Sequence, residues 1–200
     1  RSLAKPVQTS SAYYVLLECE TSEQIHEAFE DCVAKGWVID GVLGASEAQR
    51  AQLWQYREGI SESITPFTPY KNDLSVRVSD VPQFLAAAEA CVGERYPGFE
   101  IVWFGHIGDG NLHLNILKPA SLAVAEFKAQ CEQVSEEVLG IVADFDGSVS
   151  AEHGVGLLKR EQLHYSRSRE ELALMQGLKK VFDPAGIMNP GKLLRAPMAR

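Results

Sequence analysis

Two histidines in one hairpin are the residues best placed to do chemistry: His106 and His113, in the stretch WFGHIGDGNLHLNIL at 103–117. Asp109-Gly110 is a favoured two-residue hairpin turn, because both central positions of a type I′ turn need φ > 0, which Asp and Gly tolerate. That turn pairs Gly108 with Asn111, Ile107 with Leu112 and His106 with His113, so the two imidazoles face each other across the strands. Alternation places Phe104, His106, His113 and Asn115 on one sheet face and Trp103, Ile107, Leu112, Leu114 and Ile116 on the core face. The commonest bridge between neighbouring neutral imidazoles is a divalent metal, so the pair reads as two metal ligands. The plain alternative is two histidines hydrogen-bonding at a sheet surface.

A second concentration of titratable groups lies in SAEHGVGLLK, residues 150–159. A carboxylate with two histidines is a common ligand set for Zn, Mn or Fe that leaves positions open for substrate, which makes Glu152 the expected third ligand. His153, next in sequence, points elsewhere and suits a general base or a substrate hydrogen bond. A solvated Glu–His pair at a helix start is the plain alternative. Arg57 and Lys71 could meet the carboxylate of a small anion, Arg as a bidentate fork and Lys as a point charge. Ser61, one helical turn from Arg57, could add a hydroxyl. Asp109 belongs to the turn, and His26 and His164 sit among charged helical residues as exposed side chains.

These residues need elements to position them. Ala12 to Glu18 (AYYVLLE) and Trp37 to Leu43 (WVIDGVL) read as strands from their aromatic and branched content. Between them, Thr21 and Gln24 form a capping box for a helix that carries Ile25, Ala28, Phe29, Cys32 and Val33 at helical spacing and ends at Gly36. Ser46 caps a longer helix to about Ile64, where TPFTP stops it. Asp73 to Val78 is a third strand, and Asp80 begins a helix over Val81 to Val92. After the histidine hairpin comes a long helix whose stripe Phe127, Cys131, Val134, Val138 and Ile141 should lie on the sheet. A further helix ends near Phe182, and residues 183–195 (DPAGIMNPGKLLR) form a Pro/Gly-rich closing segment. The pattern is α+β: an antiparallel sheet with helices on one face, ferredoxin-like, plus a C-terminal helical segment.

The bulk numbers narrow the function classes. Two hundred residues, 46% hydrophobic, suffice for a real core. A net charge of −8 with no Lys/Arg run argues against nucleic acid as a partner. Neither a signal peptide nor a membrane-spanning apolar stretch is legible, and the missing initiator Met suggests a fragment. Cys19, Cys32, Cys91 and Cys131 show no CxxC pairing and read as free thiols, which suggests a reducing, cytoplasmic setting.

Taken together, GHIGDGNLHLNI, SAEHGVGLLKR and FDPAGIMNPGKLL resemble the C-terminal part of the FAD-linked oxidases that act on D-2-hydroxy acids, over about Tyr13 to Leu194. That group includes D-lactate dehydrogenases, the glycolate oxidase D subunit and D-2-hydroxyglutarate dehydrogenases. The resemblance implies a substrate- and metal-binding cap domain over residues 1–200, with FAD bound mainly by an upstream domain absent from this sequence. It implies that His106, His113 and Glu152 hold a divalent ion, usually zinc, and that His153 takes the substrate hydroxyl proton while a hydride leaves the α-carbon for the flavin. It further matches Arg57, Ser61 and Lys71 to substrate-carboxylate contacts, Asn115 to a polar group near substrate and metal, and Asn189 to a position against the flavin. Arg77 departs from the family pattern, where many relatives carry proline. The expected partners are a small 2-hydroxy acid, the upstream flavin domain and a possible second copy in a homodimer. Two other classes fit the bare residues: a metal-dependent hydrolase using Glu152 or His153 to activate water, and a non-catalytic module associating through its bare sheet face.

Overall fold

The structure, a computed structural model, describes residue 3 and residues 5–194. The chain divides into two compact units, Arg1–Pro66 and Phe67–Arg200.

The first unit is helical. Helix α1 (Ser22–Ala34) starts at Thr21, whose hydroxyl accepts from Gln24 N, and Gly36 follows its end with φ 71°. Helix α2 (Glu47–Glu58) is capped by Ser46 and stops at Gly59, after which α3 (Ile60–Ile64) resumes. The single helix expected from Ser46 to Ile64 is therefore interrupted, with Gly59 serving as the end of one piece and the start of the next. The two strands expected at 12–18 and 37–43 are absent: no ladder forms in either segment. Tyr13, Tyr14, Val15 and Leu17 are exposed, as are Trp37, Ile39 and Val42. Strand propensity expresses how well a side chain fits a pleated, half-buried surface, and the described residues of the first unit contain no strand to supply one.

The second unit carries the sheet. Strands β1 (Tyr70–Ser75), β2 (Ile101–His106) and β3 (Asn111–Ile116) lie in the order β1-β3-β2, both pairings antiparallel. Helix α4 (Val81–Arg95) connects β1 to β2, which makes these two strands parallel with β3 inserted between them, the split βαβ arrangement. Helix α5 (Val124–Asp144) follows β3, and the chain then returns to β1 through an antiparallel bridge between Ser75 and Ser148. The ferredoxin-like α+β expectation is met here. β1 begins three residues earlier than expected and leaves the sheet before Val76.

One face of the sheet is the core. Leu74, Leu112, Leu114 and Ile116 pack with Phe84, Ala88 and Val92 of α4 and with Phe127, Cys131, Val138 and Val142 of α5. Of the expected α5 stripe, four residues are buried and Ile141 packs partly against the cluster. Each fully buried side chain of this size contributes about 1.5–3 kcal/mol by leaving water, which fixes the sheet on its helices. A last helix, α6 (Arg169–Phe182), begins with a complete capping box between Ser168 and Glu171. All four cysteines are free thiols, Cys131 fully buried and the others partly.

Candidate metal and acid–base site

The face of the sheet away from α4 and α5 carries polar residues at alternate positions, Lys71 and Asp73 of β1, His106 of β2, and Asn111, His113 and Asn115 of β3, with the apolar Phe104 of β2 among them. The hairpin that positions the histidines differs in one respect from its sequence reading. His106 pairs with Asn111 and Phe104 with His113, two residues away from the expected register. Residues 107–109 form a 3₁₀ turn, only Gly110 has positive φ (72°), and the Asp109 carboxylate accepts from Asn111 N at 3.0 Å. Asp109 thus closes an Asx-type turn in place of half of a type I′ pair. Gly110 is required for a second reason: a Cβ there would lie 1.9 Å from Val76 O. Ile107 consequently leaves the core face and is exposed. A shift of two residues preserves side-chain parity, so His106 and His113 still share a face as diagonal neighbours, their ring centroids 5.7 Å apart.

The segment after the Ser75–Ser148 bridge brings Glu152 and His153 to these rings. His113 Nε2 lies 3.5 Å from Glu152 Oε1, and His153 Nε2 lies 3.5 Å from the same oxygen. One ligand atom from each of His106, His113 and Glu152 lies within 4.8 Å of the other two, as they must to hold one ion. The donor set of two imidazoles and a carboxylate suits a divalent cation. A second trio, Asp73, Glu152 and His153, satisfies the same distance limit.

Sequence reasoning did not single out Asp73. Its side chain is buried, and Oδ2 accepts from both Glu152 N and His153 N at 3.1 Å. Its Oδ1 faces His113 Nδ1 at 3.5 Å. Burial pushes the carboxyl upward, but the backbone bonds from His153 and Glu152 and the charges of His153 and Lys159 outweigh it and hold the group below the ordinary carboxylate range. Lys159 is the second missed residue: Nζ donates to Val149 O at 2.7 Å and to Asp73 O at 3.2 Å. Burial lowers its ammonium below the usual lysine range, against the pull of Asp73. The available signal was an aspartate inside a strand, where that residue type is depleted.

The remaining expected site residues lie as follows. Lys71 is exposed on the site face, opposite Asn115 in register. Asn115 is buried, and its amide donates to Val102 O and His113 O, both at 3.2 Å. Arg57 lies in the last turn of α2, and Ser61 lies in α3, where its carbonyl accepts from the Thr65 hydroxyl. Both belong to the first unit. Asn189 sits in the closing segment at φ 45°, with its amide oxygen 3.4 Å from Lys192 Nζ. His26 and His164 are exposed, each bonded through Nδ1 to a backbone carbonyl of its own turn.

The sequence profile described as "FAD linked oxidases, C-terminal domain" matches residues 2–193. The chain belongs to this family. Among relatives of this FAD-linked oxidase C-terminal domain, a D-2-hydroxyglutarate dehydrogenase of Stutzerimonas stutzeri is 55% identical over 196 residues, covering 96% of this chain and 42% of its own length. A D-2-hydroxyglutarate dehydrogenase of Xanthomonas citri pv. viticola is 52% identical, over 90% of this chain and 39% of its own. A putative mitochondrial D-lactate dehydrogenase of Schizosaccharomyces pombe is 38% identical over 94% of this chain and 38% of its own. This FAD-linked oxidase domain therefore spans about two fifths of the length of these relatives. Among its described residues, no helix is long and apolar enough to cross a membrane.

Proposed function

We propose that this chain is the substrate- and metal-binding part of a flavin-dependent dehydrogenase that oxidises a D-2-hydroxy acid, working with an FAD-binding domain outside this sequence and in a cytoplasmic setting. The observation that carries the reading is the convergence of His106, His113 and Glu152 within 4.8 Å, with His153 beside Glu152. Family membership supports the flavin, and the names of the relatives support D-2-hydroxyglutarate or D-lactate as substrates.

His106, His113 and Glu152 would hold the divalent ion, zinc by its donor set. When bound, the ion supplies positive charge that acidifies the substrate hydroxyl, and the flavin supplies the hydride acceptor. His153 takes the hydroxyl proton, and the carboxylates near both of its ring nitrogens, Asp73 Oδ2 3.8 Å from Nδ1 and Glu152 Oε1 3.5 Å from Nε2, stabilise the imidazolium that results. By the family resemblance Lys71 in the second unit and Arg57 and Ser61 in the first are assigned to the substrate carboxylate, a role that an ammonium, a guanidinium and a hydroxyl each suit. Asn115, two residues along β3 from His113 on the same face, is the polar group near substrate and metal, and Asn189 is the residue assigned to the flavin.

The test uses the full-length protein with D-2-hydroxyglutarate, D-lactate and glycolate. Flavin reduction by one of them is expected, lost after chelation and restored by zinc. His153→Gln should lower kcat by about 100- to 10,000-fold with metal and FAD retained. Hydrolysis of an ester or amide without flavin reduction would support the hydrolase instead, and unchanged turnover in His106→Ala would sink the metal reading.

A further inference from the structure

Glu152 Oε1 and His113 Nε2 face each other at 3.5 Å, and the state of His113 decides what that geometry is for. If Nε2 carries the ring proton, the two groups are an ordinary donor and acceptor. If Nδ1 carries it, two lone pairs confront each other, an arrangement that a cation between them relieves.

Asp73 bears directly on that choice. Its Oδ2 is occupied by Glu152 N and His153 N. Its Oδ1 is buried and accepts no hydrogen bond among the described residues, and His113 Nδ1 stands 3.5 Å away. A buried carboxylate oxygen lacking a donor is costly, and a proton on Nδ1 is placed to compensate it. The strand that carries Asp73 is itself held, since its carbonyl accepts from Lys159 Nζ and its neighbour Leu74 is fully buried.

We infer that Asp73 is a positioning residue for the metal site: through Oδ1 it holds the His113 proton on Nδ1, which frees Nε2 as a ligand, and through Oδ2 it fixes the loop that presents Glu152. The inference rests on the metal-site reading above and extends it to a residue that does not itself touch the ion in that ligand set. A carboxylate that orients a ligating histidine in this way also raises its basicity, and removing such a group typically costs about 10- to 100-fold in metal affinity.

Asp73→Asn separates the two functions of the side chain. The amide oxygen is the only atom able to accept from Glu152 N and His153 N, so the NH₂ group is forced to face His113 Nδ1. A donor there drives the ring proton to Nε2. The experiment reads the tautomer of His113 from the ring-nitrogen resonances of isotope-labelled, metal-free full-length protein, and zinc affinity by calorimetry. The expected result is a proton on Nδ1 in the wild type, on Nε2 in Asp73→Asn, and a zinc dissociation constant raised about 10- to 100-fold. Because the wild-type tautomer needs no variant, the inference stays testable even if Asp73→Asn fails to fold. A wild-type proton on Nε2, or a variant matching the wild type in both readouts, would overturn it. A tautomer that switches as expected in a protein that takes up no zinc would uphold the positioning role and overturn the metal reading.

Discussion

Two buried aspartates each hold a loop by two consecutive backbone N–H groups, and they differ in how far along the chain they reach. Asp183 accepts from Ile187 N at 3.0 Å and Met188 N at 2.9 Å, with Lys179 as its counter-charge. Asp73 accepts from Glu152 N and His153 N, 79 and 80 residues away. The first is a local turn anchor that shapes the segment before Asn189. The second is a tertiary clamp that brings the acidic loop onto the histidine hairpin. The same carboxylate chemistry thus builds a turn in one place and a site in the other, and sequence distance is what separates them.

The comparison predicts unequal costs. Asp73→Ala should destabilise the protein by about 3 kcal/mol, because it removes two charge-assisted bonds that tie segments 79 and 80 residues apart and takes from the partly buried Lys159 ammonium its supporting carboxylate. Asp183→Ala should cost less, since its two bonds close a turn of only four and five residues and its counter-charge Lys179 keeps 39% of its side-chain surface in water. Urea unfolding of the two variants measures the difference, and an equal or larger loss at Asp183 would contradict it. A smaller effect is expected at Ser166→Ala. The Ser166 hydroxyl accepts from Val149 N at 2.8 Å on the segment leading to Glu152. Removing it should cost about 1 kcal/mol and speed amide exchange at Val149.

The smallest expected effect is in acid. The Asp183 carboxyl is held below its ordinary range, chiefly by the hydrogen bond from Lys179, with burial opposing and the Met188 and Ile187 backbone bonds assisting. A lowered folded value means that its stabilisation is complete above the unfolded carboxylate value of about 3.9 and is lost as pH falls through the folded one. Asp183→Asn should therefore show a shallower loss of stability below about pH 4 than the wild type. A slope as steep as the wild type's would remove Asp183 from the acid transition.

The helices were legible where their signals are local. Thr21 and Ser46 cap the helices they were expected to start, and the α5 stripe lies in the core as its spacing indicates. The shared face of His106 and His113 was also legible, because parity survives a two-residue slip. The register itself was not, since it depends on the Asp109 side chain and on Gly110 meeting Val76 O, a contact with another strand's end. The segments at 12–18 and 37–43 show the limit of composition: their residues suit a strand, but a strand exists only with a partner.

Residue types and spacing by themselves determined which groups the chain can bring to a site, two imidazoles and an acid–histidine pair, and the family to which the chain belongs. Only the tertiary structure decided how these groups meet. The Ser75–Ser148 bridge and the Asp73 clamp join segments 73 and 79 residues apart, and such a contact leaves no local periodicity in the sequence for a reader to find.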